Sequence, residues 1–291
     1  MGLDQIARIR SFGRAVAVEV GALEDSFLDR GRALGAARVL NAIGLGHQNV
    51  SDIRTLLKLD TGLLSRLLRS LEAEGLIETK PNPADRRGRV TTLTPKGKEE
   101  FDIYETLSDE RAAAILARHK SAHRLLEAMD VVTVALSREN IVFEEADYTS
   151  DIARFCLNAF AAELSARLNL EFDLKQSGDP ELSQTKHPNG TFVVARLDDM
   201  PVGCVGVKGT GTDLAEIKRM WIAPAARGLG LAHRLMDTAE GAARALGIKT
   251  LRLDTNSTLV EAVGLYRKLG WREIARFNDD PYPDLFFEKA L

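Results

Sequence analysis

Cysteine is scarce in this chain of 291 residues. Only Cys156 and Cys204 are present, too few for a disulfide framework and too far apart for a metal cluster. Both are expected as core fillers in a reducing compartment. Long hydrophobic runs are missing too, and none reaches the roughly 20 residues that span a bilayer. The N-terminus MGLDQIARIR lacks the basic-then-apolar order of a signal peptide. A cytoplasmic protein with no membrane partner is therefore expected. Histidine is rare, and His187 and His233 have no second ligand at metal spacing, so no metal site is expected. Positive charge is not in surplus: a net charge of −3 argues against a wholesale polyanion binder while leaving room for one basic patch. Internal repeats and low-complexity tracts are also lacking.

What is present, 45% hydrophobic and 28% charged residues, is enough for two globular domains, each with its own core. The first half reads as helical, with helices over 4–29, 32–43, 51–57, 61–74, 96–118 and 122–136. One β ribbon, 77–80 and 89–93, interrupts them. After "SREN" the pattern changes to strands at 141–146, 190–196, 202–209, 214–222, 250–254, 272–275 and 284–288, with helices at 150–170, 227–246 and 259–269. The expected division is 1–138, mainly α, followed by 139–291, α/β.

In the stretch "DTGLLSRLLRSLEAEGLIETK", Leu63, Leu64, Leu67, Leu68 and Leu71 recur at helical spacing as a core stripe. They leave Thr61, Gly62, Ser65, Arg66 and Arg69 on the other face, which is small, hydroxylated and basic. That chemistry suits a helix in a major groove: short residues allow close approach, hydroxyls bond phosphates or base edges, and Arg pairs bidentately with guanine. A merely solvated face is the alternative. The ribbon's tip, Arg86, Arg87 and Arg89 around Gly88, adds what a wing uses to reach phosphates or a narrow minor groove.

Asp85, Arg87, Val90, Leu93, Thr94 and Gly97 spell D-x-R-x-x-V-x-x-L-T-x-x-G, preceded by "LEAEGLI". This pattern resembles the wing signature of MarR-type transcriptional regulators. The resemblance implies a winged helix-turn-helix over residues 1–138, a homodimer, and double-stranded operator DNA of pseudo-palindromic sequence as partner. Phe12, Val16, Val20 and Leu23 stripe the first helix, and Ile115, Leu116 and Leu125 add apolar surface to the later ones; all serve either a dimer interface or an intrachain core.

The segment "RMWIAPAARGLGLAHRLM" runs from a strand through a proline and a glycine-rich turn into a helix. Unpaired amides and the positive end of a helix dipole make such a turn an anion site, and Gly228 and Gly230 allow close approach. A dinucleotide fingerprint fails because the third glycine position is His233, and a P-loop fails for want of Gly-Lys-Ser/Thr. Arg227, Gly228, Leu229, Gly230, Leu231 and Ala232 instead resemble the coenzyme A pyrophosphate loop of GNAT N-acetyltransferases, with "EIKRMWIAP" before it and "EAVGLYRKLGW" after it.

The GNAT resemblance covers 141–291 and implies an α/β fold with a mixed, mostly antiparallel sheet and acetyl-CoA as donor. It also implies Tyr266 as proton donor to the thiolate and the backbone of Met220, Trp221 and Ile222 as pantetheine contacts. Asn256, just after the fifth strand, is a further candidate contact for the cofactor or the acceptor. Glu216 is the candidate base, with an ion pair to Lys218 or Arg219 as the alternative. Arg219 and Tyr282, the latter in "FNDDPYPDLFF", are candidate contacts for a small amine or amino acid acceptor. The expected whole is a DNA-binding regulator fused to an N-acetyltransferase. The rivals are a regulator whose second domain senses acetyl-CoA or a metabolite without turnover, and an enzyme whose first half serves only dimerisation.

Overall fold

The computed structural model describes residues 3–83, 88–174 and 184–291. The chain divides into two compact units, 1–122 and 123–291. The division expected at 138/139 falls one helix later. That helix, α6 (Ala122–Ser137), contributes Val134 to the core of the second unit.

In the first unit, α1 spans Leu3–Glu19, ten residues short of the expected end. Gly21 takes a positive φ of 67° and turns the chain there. Helices α2 (Leu34–Gly44), α3 (Val50–Leu57) and α4 (Thr61–Ala73) follow. The Asp60 carboxylate caps α4 by accepting from the Leu63 amide at 2.9 Å. Leu64, Leu68 and Leu71 of α4 are buried with Val39, Leu40 and Ile53, while Leu63 and Leu67 lie at the margin. Strands β1 (Ile77–Pro81) and β2 (Arg89–Leu93) pair antiparallel, and β2 also bridges to Asn49 through Val90.

The L-T-x-x-G sequence then has a local cause. Thr94 caps α5 (Pro95–Ala117) by accepting from the Gly97 amide at 3.0 Å, and its hydroxyl donates to the Gly75 carbonyl at 2.6 Å. A Cβ at Gly97 would lie 1.8 Å from the Leu76 carbonyl oxygen. A buried charge cluster closes the same corner: Glu100 of α5 accepts from Arg30 at 2.8 Å and from Arg32 at 2.8 Å, and Arg32 also reaches Glu74. Arg30 foremost, and Arg32, hold the Glu100 carboxyl below the usual range against the opposing effect of burial.

The second unit is built on a seven-stranded sheet of order β3-β4-β5-β6-β7-β9-β8. Its strands are β3 (Val142–Glu145), β4 (Thr191–Leu197), β5 (Met200–Gly209), β6 (Leu214–Ile222), β7 (Thr250–Thr255), β8 (Arg272–Glu273) and β9 (Leu285–Ala290). Every pairing is antiparallel except β6 with β7, so the mixed, mostly antiparallel sheet is observed. Helix α7 (Asp151–Leu168) buries Ala153, Cys156 and Leu157 with Phe192 and Cys204 on one face. On the other, α8 (Leu231–Ala245) and α9 (Val260–Lys268) pack Leu235, Met236, Ala239 and Tyr266 against Leu251, Leu253 and Phe287. Among the described residues no helix is long and apolar enough to cross a membrane.

Replacing Gly97 by Ala forces Cβ into the Leu76 carbonyl, and the expected cost is about 2–4 kcal/mol. In a thermal scan of the full chain the first unit's transition should drop by several degrees while that of the second stays in place. An unchanged first transition would show that this close approach does not matter to stability.

Candidate active site

The sheet opens where its one parallel pair ends. Strands β6 and β7 run in register from Leu214 and Thr250 only as far as Ile217 and Leu253. On its other side β6 carries a bulge: Lys218 pairs Gly206 and Trp221 pairs Cys204, so Arg219 and Met220 oppose Val205 alone. Arg219 adopts a left-handed φ of 57°, an uncommon conformation for a residue with a Cβ. The bulge bends β6 away from β7. A cavity of about 760 Å³ lies in the resulting gap, lined by 217–222 of β6, Asp254 and Thr255 of β7 with Asn256 after it, the turn before α8, α9 and α7. Peptide groups there that have left the ladder need partners, which is what a bound extended chain supplies.

The turn after β6 behaves as an anion site should. Gly228 and Gly230 have φ of 74° and 78°, and a Cβ on either would meet nothing within 4 Å. Glycine is required here by backbone conformation, and the space beyond it is open. Gly230 is the N-cap of α8 and offers no side chain to its first amides, so those of Leu231 and Ala232, both lining the cavity, keep their donors for a ligand. Arg227 braces the turn. Its guanidinium donates to the Ile222 carbonyl at 2.9 and 3.1 Å and bonds the Glu163 carboxylate, which also accepts from Trp221 Nε1 at 3.1 Å. Leu229 packs on the core and does not line the cavity.

Tyr266 is buried, and its hydroxyl faces Met220 Sδ at 3.9 Å. Burial first, and the nearby Asp254 carboxylate second, push its pKa far above the ordinary tyrosine value. It stays a neutral proton donor through the physiological range.

Glu216 does not line the cavity; its carboxylate pairs with Lys218 Nζ at 3.4 Å, the alternative left open from sequence. The residue that faces the cavity is Asp254, whose Oδ2 accepts from Lys218 Nζ at 2.6 Å and Asn278 Nδ2 at 2.5 Å. Asn256 lines the cavity, but its side chain is committed to the neighbouring loop, donating to the Tyr282 carbonyl at 2.8 Å and accepting from Thr258. Arg219 lines the wall, donates to the Leu174 carbonyl at 2.9 Å and lies over the rings of Phe160 and Phe172. Tyr282 packs against Phe172 with ring centroids 4.6 Å apart and planes tilted by 46°, and its hydroxyl accepts from the Asp173 amide. Glu163, Phe160, Phe172 and Asp254 are cavity residues that the sequence pattern does not single out. Asp254 has a usable signal all the same: in "EIK" and "LRLDT" the even-numbered positions 216, 218, 252 and 254 share one face by strand alternation.

In the first unit, Thr61, Ser65, Arg66 and Arg69 all lie on the exposed face of α4, and Arg89 stands at the start of β2. Arg86 and Arg87 lie outside the described residues.

Because the folded state holds the Tyr266 proton more tightly than the unfolded chain, its contribution to stability is complete below the ordinary tyrosine value near 10 and falls as pH rises beyond it. Tyrosinate absorbance of wild type and Tyr266→Phe should therefore superimpose between about pH 8 and 11. A difference appearing near pH 10 would show that the hydroxyl is not sequestered.

Comparison with known proteins agrees with this geometry. A model of the acetyltransferase (GNAT) family matches residues 157–271, and one of the MarR family matches 31–88. An IAA acetyltransferase of Azospirillum brasilense is 37% identical over 116 residues, covering 38% of this chain and 74% of that protein. The uncharacterized N-acetyltransferase YjgM of Escherichia coli K12 is 32% identical over 120 residues, covering 38% and 72%. The multiple antibiotic resistance protein MarR of Salmonella typhimurium is 44% identical over 46 residues, 16% of this chain and 32% of that protein. Among solved structures, a GNAT-family acetyltransferase of Staphylococcus aureus is 20% identical with a TM-score of 0.45, covering 52% of this chain and 98% of that one. Through its second unit the chain belongs to the GNAT acetyltransferase family, and its first unit carries a MarR-family domain.

Proposed function

We propose that the protein is a dimeric DNA-binding regulator fused to an acetyltransferase that moves an acetyl group from acetyl-CoA to the nitrogen of a small amine or amino acid. The observation that carries the enzymatic half is the opening between β6 and β7 with an uncapped helix N-terminus at one end and a buried, protonated tyrosine within it. The amides at 228–232 receive the pyrophosphate. The peptide groups of Met220, Trp221 and Ile222 bond the pantetheine arm and polarise the thioester carbonyl. The acceptor nitrogen, as free amine, attacks the carbonyl carbon; the C–N bond forms and the C–S bond breaks. Tyr266 gives its proton to the departing sulfur and recovers one from the nitrogen as it becomes an amide.

We assign Glu216 to fixing Lys218 rather than to proton removal, because its carboxylate is paired outside the cavity. Asn256 holds the loop carrying Tyr282. The regulatory half rests on the exposed Thr61, Ser65, Arg66 and Arg69 of α4. Dimerisation through α1 is supported by its unburied apolar residues and those just after it, Ile9 at 68%, Val18 at 67% and Leu23 at 78% exposure. Turnover, rather than sensing alone, is supported by Phe160, Phe172, Asp254, Asp280 and Tyr282, which line the same cavity as Tyr266 and the α8 turn.

Two experiments test the halves. Gly230→Val fills the open space beside the α8 amides and should weaken acetyl-CoA binding at least about tenfold by calorimetry, with the far-ultraviolet spectrum unchanged; a drop of that size corresponds to one charge-assisted hydrogen bond. Unchanged affinity would reject the pyrophosphate site. Arg66→Ala or Arg69→Ala should cost about 1–3 kcal/mol on a preferred duplex and less on random sequence. Absence of any salt-sensitive complex across a genomic library would reject the regulator half.

A further inference from the structure

Four charged side chains stand on one face of the sheet at the mouth of the β6/β7 opening, because alternation puts 216, 218, 252 and 254 on the same side. Arg252 is taken up by Glu288, its Nε donating at 3.0 Å. The other three form a unit in which Lys218 Nζ lies 3.4 Å from Glu216 and 2.6 Å from Asp254. Two carboxylates face one ammonium, and the closer pair is nearly dry, 7% exposed for Lys218 and 11% for Asp254.

Both donors to Asp254, Lys218 and Asn278, converge on Oδ2. Its Oδ1 has no partner among the described residues, and Asp254 lines the cavity. Other cations of the wall are turned elsewhere: Arg219 donates to the Leu174 carbonyl, and Arg227 is bound to Ile222 and Glu163. The same cavity is lined by Phe160, Phe172, Tyr282 and the carboxylate-bearing Asp280. A cation with an apolar body fits these surroundings, and a carboxylate oxygen readily accepts from a second ammonium while the first holds its partner oxygen. Asp254 also raises the proton affinity of Tyr266 through space, so an ammonium held at Asp254 is near the hydroxyl assigned to the thiolate.

We propose that Asp254 Oδ1 is the anchor for the acceptor's ammonium group, and that the acceptor class is therefore an aliphatic primary amine, charged at neutral pH, rather than an arylamine or a hydroxyl compound. This rests on the reading of the second unit as an amine acetyltransferase. Lys218 and Asn278 are positioning residues: they fix Oδ2 so that Oδ1 points to the ligand. The arrangement selects by charge at the ground state, before the amine gives up its proton.

The test is thiol release from acetyl-CoA by the full-length protein at pH 7, with alkylamines and amino acids in one arm and anilines, uncharged at that pH, in the other. Asp254→Asn should lower kcat/KM for the charged acceptors about 10- to 100-fold, chiefly through KM, the loss expected for one charge-assisted hydrogen bond. Anilines, wherever wild type uses them, should change less than about threefold, within the range of an indirect effect, and acetyl-CoA affinity by calorimetry should hold. Since Asp254→Asn leaves Lys218 buried without its closest partner, the pair Lys218→Met with Asp254→Asn is measured beside it and should show the same selective loss. Equal losses in both arms, or lost acetyl-CoA binding, would make the role structural and overturn the proposal. Undiminished alkylamine turnover, or a wild type that accepts only anilines, would overturn it while leaving the acetyltransferase reading intact. A wild type that releases thiol with no acceptor in either arm would overturn that reading, and this inference with it.

Discussion

The second unit depends on one backbone irregularity. A single extra residue in β6, with Arg219 in the left-handed region, bends the strand out of its parallel ladder with β7 just after Ile217. A straight strand would satisfy its peptide groups against β7 and leave no room between them. Bent, it exposes them to a cavity and carries Arg219 and Trp221 toward α7 and the segment after it, where the Leu174 carbonyl and the Glu163 carboxylate receive them. The strain of one non-glycine residue at positive φ, on the order of 1–3 kcal/mol, is offset by this packing: Trp221 is buried beside Phe155, and the Cys204 thiol donates to the Arg219 carbonyl at 3.2 Å.

The two ends of the cavity differ in electrostatic character. At the α8 end the backbone is the ligand, with left-handed glycines and free helix amides favouring an anion. At the β7 end side chains take over, and two carboxylates around one lysine favour a cation. Tyr266 lies between, kept protonated by burial and by Asp254. An anionic cofactor and a cationic acceptor would thus enter complementary ends and meet at a neutral proton donor, which is the order of charges an acetyl transfer to an amine requires.

Much of this is legible in the sequence where function depends on backbone chemistry. Gly228 and Gly230 are recognisable because only glycine takes their φ at little cost, and the α4 stripe because a 3.6 period separates Leu64, Leu68 and Leu71 from Ser65, Arg66 and Arg69. The Thr94 cap and the Gly97 close approach explain a motif readable from sequence only as a resemblance. Glu216 and Asp254 mark the limit. Alternation puts both on the same face, but which one meets the cavity depends on where the ladder between β6 and β7 ends, and that is set by a bulge with no glycine or proline to announce it. Asn256 and Arg227, the latter read from its loop motif, both line the cavity; the hydrogen bonds that hold them, to the Tyr282 loop and the Ile222 carbonyl, have partners distant or hidden in the sequence. The end of α1 escapes the sequence pattern because apolar spacing continues past Gly21 while the helical backbone does not.

The central claim is that peptide groups released by the β6 bulge, together with those at the start of α8, form the cofactor's binding surface. Amide hydrogen exchange with and without coenzyme A tests it most directly. Slowed exchange is expected at 219–222 and 228–232, with the hairpin of β1 and β2 unchanged. Protection absent from both segments, with coenzyme A bound at saturation, would contradict it.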